Sequence, residues 1–90
     1  MNKRLALYTI SIASQLSGIQ PRALRLYEEM GLIRPQRKTK GHRLYSQEEI
    51  ELLLFIRHLA EVRKINLAGI RFILGMLDRF QIDLDFDEGI

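Results

Sequence analysis

The side chains able to do chemistry in this 90-residue chain are mostly cations, and they are unevenly spread. Residues 1–45 carry nine Lys and Arg against Glu28 and Glu29, a net of +7; residues 46–90 carry five against nine acids, a net of −4. The basic half is a candidate for contact with a polyanion, and the acidic half is not expected to share that face. Chance clustering on a solvated surface is the plain alternative. Two groups stand out. Gln20, Arg22 and Arg25 fall close together, and Arg37, Lys38, Lys40 and Arg43 follow in a stretch with no acid between Glu29 and Glu48. An Arg guanidinium can pair bidentately with guanine O6 and N7, a Gln amide can pair with adenine, and any cation can neutralise phosphate. The competing use of Arg22 and Arg25 is as i+3 and i+4 surface partners of Glu28 and Glu29, which Arg25 is expected to take in the free protein.

Other chemistry finds little support. Cysteine is absent, which removes disulfides, thiolate metal ligands, iron–sulfur clusters and thiol catalysis, and fits a reducing, cytoplasmic setting. Of the two histidines, His42 sits among the cations and His58 in a leucine-rich stretch, where a packed histidine is the default. No Ser, His and Asp set shares a local segment, and no glycine-rich phosphate loop occurs. Asp83, Asp85, Asp87 and Gly89 match a calcium loop only in outline, since the glycine is one place late and the distal Glu is missing. No catalytic residue, metal or cofactor is expected. The apolar part of MNKRLALYTI is too short for a signal segment, and no run approaches a membrane span. A 47% hydrophobic and 28% charged composition argues for one folded domain rather than a disordered chain.

These side chains need rigid carriers. Leu5, Leu7 and Ile10 around Tyr8 and Thr9 read as a short extended opening segment. Ser11 is placed to cap a short helix through Ile12, Ala13 and Leu16, and Gly18 ends it. Pro21 opens a second helix, because its φ is preset and its missing N–H is not needed there. That helix runs to about Met30, with Gly31 as its C-cap. Two short helices across a tight turn form a helix-turn-helix, with Ala13 letting the helices approach and Ile19 plugging the core behind the turn. The second helix turns Leu24, Tyr27 and Leu26 inward and Gln20, Arg22 and Arg25 outward.

In LIRPQRKTKGHRLY, residues 32–45, Pro35 suits an edge strand, Lys40-Gly41 signals a turn, and Arg43, Leu44 and Tyr45 alternate as a returning strand. The result is a hairpin, or wing, with its loop from Arg37 to Gly41. Ser46-x-x-Glu49 is a capping box. It launches a helix with apolar residues at 50, 53, 54, 56, 59, 60 and 62, leaving Leu52 and Phe55 off the main face. Asn66 caps a further helix whose apolar face is Leu67, Ile70, Ile73, Leu74 and Leu77, weakened by Gly69 and Gly75. The tail alternates Ile82, Leu84 and Phe86 with Asp83, Asp85 and Asp87.

The strings YTISIASQLSGIQPRALRLYEEMGLIRP, GHRLYSQEEIELLLFIRHL and INLAGIRFIL, in that order and spacing, resemble the DNA-binding domain of the MerR family of transcriptional regulators over residues 8–77. The resemblance implies a mostly α fold: a winged helix-turn-helix with a small β-hairpin wing and a following helix pair, then an acidic tail at 78–90. It implies that Arg22 and Arg25, with Gln20, contact DNA from the recognition helix and that Tyr27 lies near the phosphates. Arg43 and the wing loop, with Arg37, Lys38 and Lys40, would grip the backbone, with His42 and Tyr45 beside them. His42 stands where the family usually has Tyr. The LRLYE run with Leu26 and the INLAGI run are similar to the heat-shock-repressor branch, so a repressor is expected. The lack of cysteine argues against the family's thiol-based sensors.

Family members pair through a long helix, for which the thirteen residues after Leu77 are too few. A truncated DNA-binding domain or a compact relative is therefore expected. Because Leu52, Phe55, Ile82, Leu84 and Phe86 have no obvious place in so small a core, the expectation is a weak homodimer, or a monomer that pairs on double-stranded DNA. The alternative is a small protein-interaction module, a chaperone modulator binding a co-chaperone through its helices and acidic tail. The basic half favours DNA.

Overall fold

The structure is a computed structural model and describes residues 2–37 and 41–82. Lys38, Lys40 and the tail beyond Ile82, with Leu84, Phe86 and the calcium-like acids, lie outside the described residues. The elements are β1 (Ala6–Thr9), α1 (Ile10–Ser17), α2 (Pro21–Glu29), β2 (Gln36–Arg37), β3 (Arg43–Ser46), α3 (Gln47–Glu61) and α4 (Leu67–Arg79). They divide into two compact units, residues 1–54 and residues 55–90, with the boundary inside α3.

In the first unit β1 passes straight into α1. Thr9, still extended and paired with Leu44, is the N-cap, and its hydroxyl accepts from the Ile12 N–H at 3.3 Å. The expected cap, Ser11, already lies inside the helix, because strand pairing holds Thr9 in the backbone conformation a cap needs. Gly18 ends α1 at φ +73°, a conformation that favours glycine, and its N–H donates to Ser14 O. The turn is closed by side chains. The Ser14 hydroxyl donates to Ile19 O at 2.6 Å, and the buried Ser17 hydroxyl accepts from the Ile19 N–H at 3.2 Å. Ala13 and Ile19 are buried as expected. Pro21 starts α2, whose C-cap is Met30 rather than Gly31.

The sheet has three strands, not the two of a lone hairpin. Its order is β1-β3-β2, all antiparallel, with Thr9 opposite Leu44 and Arg37 opposite Arg43. Arg37 belongs to β2 and not to the wing loop in which it was expected. The capping box forms: the Ser46 N–H donates to Glu49 Oε1 at 3.0 Å, and the Glu49 N–H donates to the Ser46 hydroxyl at 3.1 Å. Leu24, Leu32, Ile33, Tyr45, Ile50 and Leu53 join Ile19 as the larger buried side chains of this unit, whereas Leu26, expected to turn inward, is 44% exposed.

In the second unit Phe55, Ile56 and Leu59 of α3 are buried. Phe55 was expected off the main face. Leu54 and Val62, expected on it, are exposed, so Phe55 is withdrawn from the residues that argued for pairing of two chains. Asn66 caps α4 by accepting from the Gly69 N–H at 2.8 Å, and Ile70 is its buried residue. Asp78 and Arg79 lie in α4, so the helix takes the first two residues of the expected tail.

The two glycines of α4 differ. A Cβ at Gly69 would stand 2.6 Å from Ile65 Cγ2, a methyl on a β-branched and therefore stiff side chain, whereas one at Gly75 would meet nothing within 4 Å. Gly75→Ala is therefore expected to stabilise the chain by about 0.5–1 kcal/mol through helix propensity. Gly69→Ala is expected to destabilise it. Urea unfolding of both variants checks the opposite signs.

Candidate nucleic-acid interface

Residue periodicity gives α2 two sides. Leu24 is buried and Tyr27 half-buried, while Gln20, Arg22 and Arg25 are exposed near the helix start. Gln20 is the N-cap but its side chain makes no capping bond. Among the described residues Arg22 and Arg25 form no ion pair and no hydrogen bond, so the expected pairing of Arg25 with Glu28 or Glu29 is absent.

Glu28 is engaged elsewhere. Its carboxylate accepts from Arg43 Nε at 2.8 Å on one oxygen and 3.2 Å on the other. It also accepts from Arg37 Nη2 on Oε1. Arg37 Nη1 donates in turn to Gly41 O at 2.9 Å, across the wing loop. Arg37 and Arg43 are cross-strand neighbours, and two like charges so placed repel. One carboxylate from α2 offsets that repulsion and ties the wing to the helix. The Glu28 side chain is only 18% exposed and that of Arg43 25%, so solvent screens this contact less than an ordinary surface pair. The two Nη groups of Arg43 make no hydrogen bond among the described residues and can still donate to a further anion.

The structure places Tyr45 differently from the expectation. It is fully buried and cannot touch a nucleic acid. Arg43, at the start of β3, is half-exposed, whereas Tyr45, two residues on and on the same side of the strand, lies in the core. Its hydroxyl finds no hydrogen-bond partner among the described residues. Burial, and then the negative charge of Glu28, push the phenol above its ordinary value of 10.0. His42 is exposed and lines, with Thr9, Ile10 and Arg43, an open groove at the base of the wing. Glu28 was considered in the sequence only as a surface partner of α2. Arg34, exposed between α2 and β2, was counted in the net charge but not singled out.

A helix-turn-helix whose second helix offers free cations, flanked by a strand-built basic wing, defines a winged helix-turn-helix domain. The chain belongs to the MerR family: residues 8–77 match the family described as MerR HTH family regulatory protein. It is 46% identical over 69 residues to a "Putative heat shock protein HspR" of Streptomyces coelicolor, covering 77% of this chain and 46% of that protein. It is 40% identical over 63 residues to a "Mercuric resistance operon regulatory protein" of Bacillus cereus, covering 69% and 47%. It is 36% identical over 70 residues to the "HTH-type transcriptional regulator GlnR" of Bacillus anthracis, covering 78% and 54%. The chain thus spans about half the length of the curated relatives it matches. The family is one of regulators, not of enzymes. Among the described residues no helix is long and apolar enough to cross a membrane.

Tyr45 gives a signed expectation. Its hydroxyl contributes no hydrogen bond, so Tyr45→Phe should leave stability at pH 7 unchanged or raise it by up to about 1 kcal/mol. The folded state holds the phenolic proton more tightly than the unfolded chain. Stability from this group is therefore complete below pH 10 and falls as pH rises past it. Urea midpoints from pH 8 to 11 should decline more steeply for the wild type than for Tyr45→Phe.

Proposed function

We propose that this chain is the DNA-binding part of a transcriptional regulator that reads duplex DNA with α2 and grips the backbone with its wing. The observation that carries this reading is the pair of exposed guanidiniums of Arg22 and Arg25, unpaired among the described residues, at the end of the helix that a helix-turn-helix presents to base edges. Gln20, Arg22 and Arg25 read bases. Tyr27, Arg37, Lys38, Lys40, His42 and Arg43 contact phosphates. Tyr45 acts from beneath, by holding β3. Two copies acting together on a two-fold site would supply the selectivity one protomer lacks, because a single module reads few base pairs. The similarity to the protein named as a putative heat shock protein supports a heat-shock role, and the resemblance of the LRLYE and INLAGI runs to the heat-shock-repressor branch supports a repressor.

The test is selection of bound sequences from random duplex DNA, followed by titration of the selected site at several salt concentrations. Neutralising about four to six phosphates per protomer should give a slope of log K against log salt of roughly −4 to −5. No binding at low salt, or a flat response, would sink the reading. Selected sites with an inverted repeat support paired copies, and isolated half-sites exclude them. Arg22→Ala is expected to cost about 1–3 kcal/mol on the selected site and relax preference at one base pair. Lys38→Ala is expected to weaken all sequences alike and reduce the slope by about one.

A further inference from the structure

We propose that Glu28 is a specificity-determining residue, which restrains the phosphate grip of the wing and fixes it to the register of α2. The inference rests on the DNA-binding reading above and adds a residue whose charge opposes binding. Glu28 lies on α2, three residues from Arg25 and six from Arg22. Its carboxylate holds Arg37 of β2 and Arg43 of β3 together. Three charged groups from three elements therefore present a net charge of +1 instead of +2.

Two physical consequences follow. Attraction of cations to the phosphate backbone is independent of sequence and supplies essentially all of non-specific binding. A carboxylate beside two guanidiniums lowers that attraction for every duplex equally. The same carboxylate also sets the offset between wing and recognition helix. Arg43 gives its Nε to Glu28 and keeps its Nη groups for an outside anion, so the direction of that contact is fixed relative to α2. A phosphate then meets Arg43 only when α2 lies in the groove in its working register. Without the carboxylate, Arg37 and Arg43 face each other across the strand pair with nothing between their charges. The wing becomes a looser and more cationic arm that grips any backbone.

The test uses the full chain, a random-sequence duplex and the duplex selected by the wild type. Glu28→Gln keeps the shape and removes the charge. It is expected to tighten binding to the random duplex several-fold and steepen its salt slope by about one. The ratio of selected to random affinity should fall by about tenfold. Glu28→Asp, which restores the charge on a shorter arm, should return the slope towards the wild type. An unchanged ratio in Glu28→Gln, or equal weakening on both duplexes, overturns the proposal while leaving the DNA reading intact. Failure of the wild type to bind either duplex overturns both. Should Glu28→Gln not fold by circular dichroism, Arg37→Gln lowers the net charge of the same three groups to zero and keeps the Glu28–Arg43 contact. It is expected to weaken the random duplex with the ratio held or raised, and a fallen ratio overturns the proposal.

Discussion

Two arginines set directly across an antiparallel strand pair repel, and β2 has only two residues with which to resist. The wing keeps its shape because the Glu28 carboxylate stands between the guanidiniums, accepting from both. That requirement propagates backwards through the chain. Glu28 reaches the wing only if α2 leaves the turn at the right angle, and the turn depends on Gly18 in the left-handed conformation and on two serine hydroxyls bonded to the Ile19 backbone. Ala13 and Ser17 are small and fully buried, which lets α1 and its neighbours approach. A helix-turn-helix and a wing are often described as separate parts. Here a single buried-edge ion pair network makes them one electrostatic unit.

The middle strand performs the complementary task by packing. Within four residues β3 offers Arg43 to Glu28, pairs Leu44 with both neighbouring strands, buries Tyr45 and caps α3 through Ser46. Period-two alternation puts Arg43 and Tyr45 on one side of the strand, where the first meets Glu28 and the second is buried, and Leu44 on the other. Tyr45 is held by volume and apolar contact, not by its hydroxyl. The N-terminus is fastened to the same region: the Glu48 N–H donates to Lys3 O, Lys3 pairs with Glu51, and the Tyr8 hydroxyl donates to Gln47 Oε1 at 3.1 Å.

Features set by local rules were legible in the sequence. Gly18, Pro21, the Ser46/Glu49 box and the Asn66 cap each fix a boundary within a few residues of chain, where backbone geometry and one hydrogen bond decide the outcome. Features set by partners distant in sequence were not. Thr9 outcompeted Ser11 as a cap because β1 pairs with β3, 35 residues on for the Thr9–Leu44 pair, and no local signal encodes that pairing. The apolar run of α3 contains more hydrophobic positions than one face can hold, so the burial of Phe55 in place of Leu54 depends on what surrounds the helix. The outward direction expected of Gln20, Arg22 and Arg25 agrees with their exposure. Tyr45 was misplaced because a run quoted as a family motif mixes surface and core positions. Glu28 was misread for a related reason. Helical spacing offers it Arg25, and only the folded wing offers it a better pair.

Ion pairing in the first unit is selective, and the selection has a direction. Lys3 and Arg4 meet Glu51 and Glu48, while Arg37 and Arg43 share Glu28. Among the described residues of that unit, Arg22, Arg25 and Arg34 are the arginines left without a carboxylate. Self-repulsion in so basic a segment opposes folding, and pairing every cation would relieve it. The chain instead spends its few acids at the N-terminal tether and the wing, where the cations also hold elements together. Among the described residues it leaves the arginines of α2 without a carboxylate. A cation kept exposed on a rigid helix has its backbone already fixed and needs no competing partner displaced when an anion arrives, so the side chain's own rotamer freedom is what binding costs. The distribution of carboxylates, more than the number of arginines, therefore distinguishes the side chains that build this domain from those free to bind.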